Sequence, residues 1–273
     1  MATRWHQRVG INLLRSTYYI VCIVDTQKGK MSKTDRIYTL GEEAYPSVTT
    51  IIKNGIPKPA LMKWAAKLVA TAALEQRAKL DTFEDPADAI KWLTDLPNQR
   101  ANTSAVKGTA VHKSSELLAR GLDEGVVPVE ARGHVDQYIA FLNDFAPVTV
   151  HTEVTVYNRT LQYAGTVDAV MAFDGRPCIL DTKTGKGVYS DVALQLAAYD
   201  NAEFYLGPDG EELPWTPTGK AYVLHLQADK YELRPVNIGK VAFDTFLAAY
   251  DVMLWDKNEG RVAIGNPIEP KEK

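Results

Sequence analysis

Gly165-Thr166-Val167-Asp168, then Asp174-Gly175, then Cys178-Ile179-Leu180-Asp181-Thr182-Lys183 is the stretch whose reading decides the fold. Asp-Gly between two apolar runs is a strong signal for a two-residue hairpin turn, because both turn positions need positive φ. With Asp174 and Gly175 as the turn, Phe173 faces Arg176, and the same counting carried outward sets Asp168 opposite Asp181. That pair falls at a non-hydrogen-bonded position, where facing Cα atoms are only about 4.5 Å apart. Two ionised carboxylates so placed repel, so one takes up a proton or a cation sits between them. Lys183 lies two residues beyond Asp181 and points to the same face of its strand. Thr182 points away, with its backbone carbonyl near the pair. A hard cation such as Mg²⁺ takes oxygen ligands of this kind, and a neighbouring ammonium stabilises charge developing on a phosphate. The same residues also fit a plain solvated strand face.

Outward from this hairpin the second half of the chain reads as β-β-β-α-β-β-α. Strands are expected at Thr149–Tyr157, Gln162–Phe173 and Pro177–Lys183, then a helix at Asp191–Tyr205. Two more strands come at Tyr222–Gln227 and Tyr231–Asn237, joined by a tight turn around Asp229, then a helix at Val241–Trp255. The first half is mostly helical. After a short strand at Ile37–Leu40 and a break at Pro57-Lys58-Pro59, helical spacing runs from Ala60 to Leu80. A second helix opens at Asp85-Pro86 and stops near Pro97, a third spans Ser104 to Ala119 with Gly121 as its stop, and a fourth covers Val129 to Phe145. We therefore expect an α/β fold with a mixed sheet. It divides into a mainly helical region 31–147, an α/β core 148–260 and a polar tail 261–273. Residues 1–30 have no clear link to the segment after Met31, and we expect them to be a dispensable extension; a chain starting at Met31 should stay soluble and active.

The composition sets bounds. The 273 residues carry 45% hydrophobic and 24% charged residues and a net charge of −3, so any grip on a polyanion must come from a local patch. Cys22 and Cys178 stand far apart without CxxC spacing, which gives neither a disulfide framework nor a cysteine metal site. They read as buried thiols of a reducing compartment, and we expect a cytoplasmic location. Ile11–Val24 is apolar but interrupted by Arg15, lacks a small-x-small cleavage site and is too short to span a membrane, so no membrane partner is expected.

Three further motifs accompany the hairpin: Lys107-Gly108-Thr109-Ala110-Val111-His112-Lys113-Ser114-Ser115-Glu116, Gln195-Leu196-Ala197-Ala198-Tyr199, and Pro46-Ser47-Val48-Thr49-Thr50-Ile51-Ile52 with Trp64 and Lys67 downstream. Asp, a dozen residues, then Asp-x-Lys, in this order with these flanking helices, resembles the PD-(D/E)XK nuclease superfamily. Within it the chain is similar to the RecB-type exonuclease branch with its phage and CRISPR-associated members. The resemblance covers about Tyr45 to Asn201. It implies a restriction-endonuclease-like core and Mg²⁺- or Mn²⁺-dependent hydrolysis of DNA, at ends, in recombination, repair or phage DNA processing, with a recombination or helicase partner. By the same resemblance His112, Asp168, Asp181 and the Thr182 carbonyl bind metal, Lys183 is the catalytic lysine, and Gln195 and Tyr199 orient the site or the DNA. Asp181 stands where Glu is commoner. The cluster-binding members use four cysteines, so no iron–sulfur cluster is expected here.

The remaining candidates carry two readings each. A lone helical histidine is more often packed or solvated than a ligand, but Glu116 shares the His112 face and can fix its ring or form a surface pair. Glu153 either leans into the site, where it could accept from Lys183, or is an exposed strand residue. Tyr199 without the resemblance reads as core. Lys53, Lys58, Lys63, Lys67, Lys107 and Lys113 form a phosphate-binding patch or a solvated face. Trp64 and Trp92 stack on bases or anchor the core. Other functions for the same residues are an endonuclease or resolvase, a non-catalytic DNA-binding module, and a carboxylate-rich metal-binding protein.

Overall fold

The structure is a computed structural model that describes residues 35–268. A hairpin, β1 (Ile37–Leu40) and β2 (Glu43–Pro46), leads into α1 (Val48–Gly55), α2 (Pro59–Glu75), the short α3 (Arg77–Leu80), the long α4 (Pro86–Ala119) and α5 (Val129–Phe145). Then come β3 (Val148–Asn158), β4 (Tyr163–Phe173), β5 (Arg176–Lys183), α6 (Asp191–Asp200), β6 (Phe204–Leu206), β7 (Glu212–Pro214), β8 (Ala221–Leu226), β9 (Tyr231–Val236) and α7 (Lys240–Lys257). Seven strands form one sheet in the order β7-β6-β3-β4-β5-β8-β9, antiparallel except for the β5–β8 pair. The fold is thus α/β, a mixed central sheet flanked by helices. No helix among the described residues is long and apolar enough to cross a membrane.

The hairpin forms as counted. Asp174 and Gly175 have φ of 49° and 73°, the conformation of a type I′ turn, and the pairing runs from Phe173–Arg176 to Ala169–Leu180. Adjacent residues of each strand then serve opposite cores. Ile179 and Val223 pack with Val48, Ile51, Leu196, Tyr199 and Phe246 under α1, α6 and α7. Leu180 and Leu224 pack with Val111, Val135, Tyr138 and Phe141 under α4 and α5. Helices from the region before residue 148 therefore cover both faces of the sheet. Burying each such side chain contributes about 1.5–3 kcal/mol.

The structure departs from the sequence reading in three places. One helix, Pro86–Ala119, runs through Pro97 instead of stopping there. An interior proline forfeits one backbone bond at about 3 kcal/mol, a local loss that the residues on both sides bridge. Gly121 ends this helix as expected: its φ is 72°, Leu122 N–H donates to Leu117 O, and Gly121 N–H donates to Leu118 O. The helix begun at Asp191 stops at Asp200, and Phe204–Leu206 leaves it to pair with Val156 and Tyr157. Phe204 there stacks on Tyr157 with ring centroids 5.3 Å apart, and this packing outweighs helical propensity. The helix expected from Ala60 to Leu80 breaks at Gln76. The expected extension 1–30 and the end of the polar tail lie outside the described residues.

Candidate active site

Asp168 sits on the central strand β4 between two other acids. On the β3 side, Glu153 occupies the position facing it, between the Thr152–Ala169 and Val154–Val167 pairs. On the β5 side, the next position beyond the last ladder pair, Ala169–Leu180, is Asp181. The row is irregular. Val167 packs on the α6 face while Ala169 and Met171 pack on the α5 face, so the alternation breaks at Asp168. Glu153 has φ 48°, a left-handed conformation that costs a non-glycine residue of order 1–3 kcal/mol. Backbone strain and broken alternation thus coincide at two facing carboxylates.

His112 comes to this point from α4. Its Nδ1 lies 3.4 Å from Asp168 Oδ2. Donor atoms of His112, Glu153 and Asp168 all fall within 4.8 Å of one another, a spacing suited to one metal ion. Glu153 is reached by solvent, yet the atoms crowding it, and then the charge of Asp168, raise its pKa to about 7. Asp168 Oδ2 also accepts the Thr182 N–H at 2.8 Å.

Asp181, Lys183, Gln195 and Tyr199 form a second, closed set. The Lys183 ammonium is 2.8 Å from both Asp181 oxygens; it hydrogen-bonds Oδ1 and meets Oδ2 as an ion pair without hydrogen-bond geometry. Gln195 donates Nε2 to Asp181 Oδ1 (3.0 Å) and to the Tyr199 hydroxyl (3.2 Å), and its Oε1 lies 3.4 Å from Lys183 Nζ. The Asp181 side chain is 2% exposed and that of Lys183 35%. Burial therefore dominates Asp181 and raises its pKa despite Lys183. For Lys183 burial pulls down, but the Asp181 and Asp168 charges outweigh it and hold it as an ammonium. Burial also keeps Tyr199 a neutral phenol. Gly165 makes room for this ring: a Cβ there would meet Tyr199 Cε1 at 2.4 Å.

The other sequence candidates take varied places. Glu116 bonds Lys113 (3.1 Å) and Arg120 (3.2 Å) along its own helix, not His112. Lys58 pairs with Asp191 at 2.8 Å, Lys53 lies 3.7 Å from Asp35, and Lys107 Nζ lies 3.3 Å from His134 Nε2. Trp92 packs with Phe83 and under Lys79, an anchor of the helical arm, while Trp64 is partly exposed. Cys178 is buried, and burial pushes its thiol up to about 12, so it is unreactive at neutral pH; Cys22 lies outside the described residues. Two residues that the sequence did not single out join the rim. Tyr38 Oη is 2.9 Å from Thr166 Oγ1, and Arg36 stacks over the Tyr38 ring at 4.7 Å and acts on Glu153 through its charge. An arginine and a tyrosine at a short edge strand carry no local signal of such a role.

No family model matches the chain, and no curated protein matches it. Among solved structures the chain is similar to one described as "Crystal structure of SSO0001", at 16% identity over 46% of this chain and 58% of that one, with a TM-score of 0.29. The chain thus spans little more than half the length of that protein.

Proposed function

We propose that this chain is a divalent-metal-dependent deoxyribonuclease that hydrolyses phosphodiester bonds at DNA ends. One observation carries the reading: donor atoms of His112, Glu153 and Asp168 lie within 4.8 Å of one another, beside the buried Asp181–Lys183 pair. Facing carboxylates repel, and a cation held among these donors relieves that repulsion. The donor set of oxygens and one imidazole nitrogen fits Mg²⁺ or Mn²⁺. His112, Glu153 and Asp168 would hold the ion, with Asp181 as the neighbouring acid. Bound there, it would supply Lewis-acid polarisation of the phosphodiester and a water of lowered pKa.

The side chains divide the remaining work. Lys183, held protonated, does not serve as a base. Of its three N–H donors, one is spent on Asp181 and a second reaches towards Gln195, which leaves the third for a phosphate oxygen or the attacking water. Gln195 holds the Asp181 carboxylate in place, and the Tyr199 hydroxyl backs Gln195. The order and spacing of the motifs, which resemble the RecB-type branch, support DNA as substrate and ends as the point of attack.

The test is end-labelled linear DNA and covalently closed circular DNA, each with Mg²⁺, Mn²⁺ or EDTA. Linear DNA is expected to shorten only with metal, circles to survive, and Lys183→Ala to lose activity by about 100- to 1,000-fold. Metal-independent cutting, or full activity in Lys183→Ala, would remove the reading. Cut circles would make the chain an endonuclease.

A further inference from the structure

A cavity of about 240 Å³ opens beside Lys183 and Gln195. Its walls are Ile52 of α1, Val188 of the loop before α6 and Val192 in the first turn of α6; its polar groups are Thr49, Lys58 and Asp191. Lys58 and Asp191, paired at 2.8 Å, tie the entry of α2 to the first residue of α6 across this space. Tyr189 also lines it and is 70% exposed, an aromatic ring left in solvent next to the site. It comes after Gly185 and Gly187 in the loop that leaves Lys183. Neither the acidic cluster nor the bonds around Lys183 use any of these groups.

We propose that this cavity is the seat of a single unpaired nucleobase, the one attached to the phosphate at Lys183, with Tyr189 as its stacking platform. The position of the phosphate rests on the nuclease reading; the base-binding property does not. The volume suits one base. Apolar walls at Ile52, Val188 and Val192 accept the faces of a flat ring, while the Thr49 hydroxyl and the Asp191 carboxylate offer partners to a ring edge. An exposed tyrosine gives sequence-tolerant stacking, because every base has a π-face. The base must be out of its duplex to enter, so the preferred substrate is single-stranded DNA or a frayed end, and Tyr189 is a substrate-positioning residue.

The experiment measures binding of fluorescently labelled oligothymidylate by anisotropy, in EDTA and again in Ca²⁺. It compares the full chain with Tyr189→Ala, Tyr189→Trp and Thr49→Phe, all changes at exposed positions. Tyr189→Ala is expected to weaken binding by about 5- to 150-fold, the range of one lost base stack, and Thr49→Phe to weaken it by crowding the cavity. Tyr189→Trp should bind as the natural chain does, with extra indole fluorescence that the oligonucleotide quenches. Equal binding by all four proteins, or no binding by any, overturns the base seat. Tyr189-dependent binding without metal-dependent cleavage would keep the seat and sink the nuclease reading. Cleavage with Tyr189-independent binding would do the reverse.

Discussion

His112 comes from a helix well before the sheet, Glu153 and Asp168 from two consecutive strands, and they meet as two carboxylates and an imidazole with little to balance them. Asp181, Lys183, Gln195 and Tyr199 come from one strand and the next helix along the chain, and they satisfy one another except at a single oxygen. The first set is solvent-accessible and strained, with Glu153 at φ 48°. The second is packed against Gly165 and mostly buried. On the proposed nuclease reading, the contrast is a division of labour. A site that receives an ion must keep its charges uncompensated until the ion arrives, whereas a site that orients a reacting group must be fixed beforehand. Strain and repulsion in the first set are tolerated because the surrounding sheet over-determines the backbone.

Four substitutions break or sharpen this contrast. The largest effect is on cleavage. Asp168→Asn and Asp181→Asn should each reduce it by about 100- to 1,000-fold, but their effects on stability should diverge. Asp181→Asn removes charge-assisted bonds from Lys183 and Gln195 and should lower unfolding stability by about 1–3 kcal/mol. Asp168→Asn keeps an acceptor for Thr182 N–H and relieves repulsion, so its stability in EDTA should hold or rise. Equal destabilisation in urea melts would erase the distinction between the two sets.

Next in size is Gly165→Ala. The added methyl meets Tyr199 Cε1 at 2.4 Å in a buried position, and overpacking of this kind costs typically about 1–3 kcal/mol. The displaced ring should loosen Gln195 and lower turnover more than metal affinity. A variant with natural stability and turnover would show that the Tyr199 seat does not fix the second set.

The smallest effects concern Glu153. Saturating Mn²⁺ should raise the melting temperature of the natural chain, by the equivalent of about 2.7 kcal/mol at a hundredfold excess over the dissociation constant, and Glu153→Gln should blunt that rise. Without metal the pH dependence has a definite sign. Folding lifts the Glu153 pKa from 4.5 to about 7, so the unfolded chain releases this proton first. Stability from this group is therefore lost as pH rises from about 4.5 to about 7. Melting curves in EDTA should show that slope reduced in Glu153→Gln; an unchanged slope would place the crowding elsewhere.

How much of this was legible depends on the range of the forces involved. The Asp174-Gly175 turn, the register it imposes, the placing of Asp181 and Lys183 on one strand face, the span Val129–Phe145 and the Gly121 stop all depend on residues within a few positions of one another. Gln195 and Tyr199 share a helix face for the same reason. The sequence alone set Asp168 and Asp181 beside His112 and left open whether Glu153 joins them. Glu153 fits an exposed strand position as well as one leaning into the site, and a left-handed kink within β3 sets it facing Asp168. Tyr189 was invisible, since an exposed tyrosine in a loop gains meaning only from the cavity beside it.

By itself, then, the sequence determined local geometry: turn type, strand register, helix ends, and which side chains share a face, because these are set by φ/ψ preferences and by the periods of helix and strand. Only the tertiary structure decided that α4 lies over the sheet, that β6 leaves its helix to stack Phe204 on Tyr157, that Pro97 is carried through, and that Glu153 of β3 faces Asp168 of β4. Those outcomes depend on contacts between residues tens of positions apart. Their free energy comes from packing and desolvation of the whole core, for which no short stretch of sequence carries a pattern.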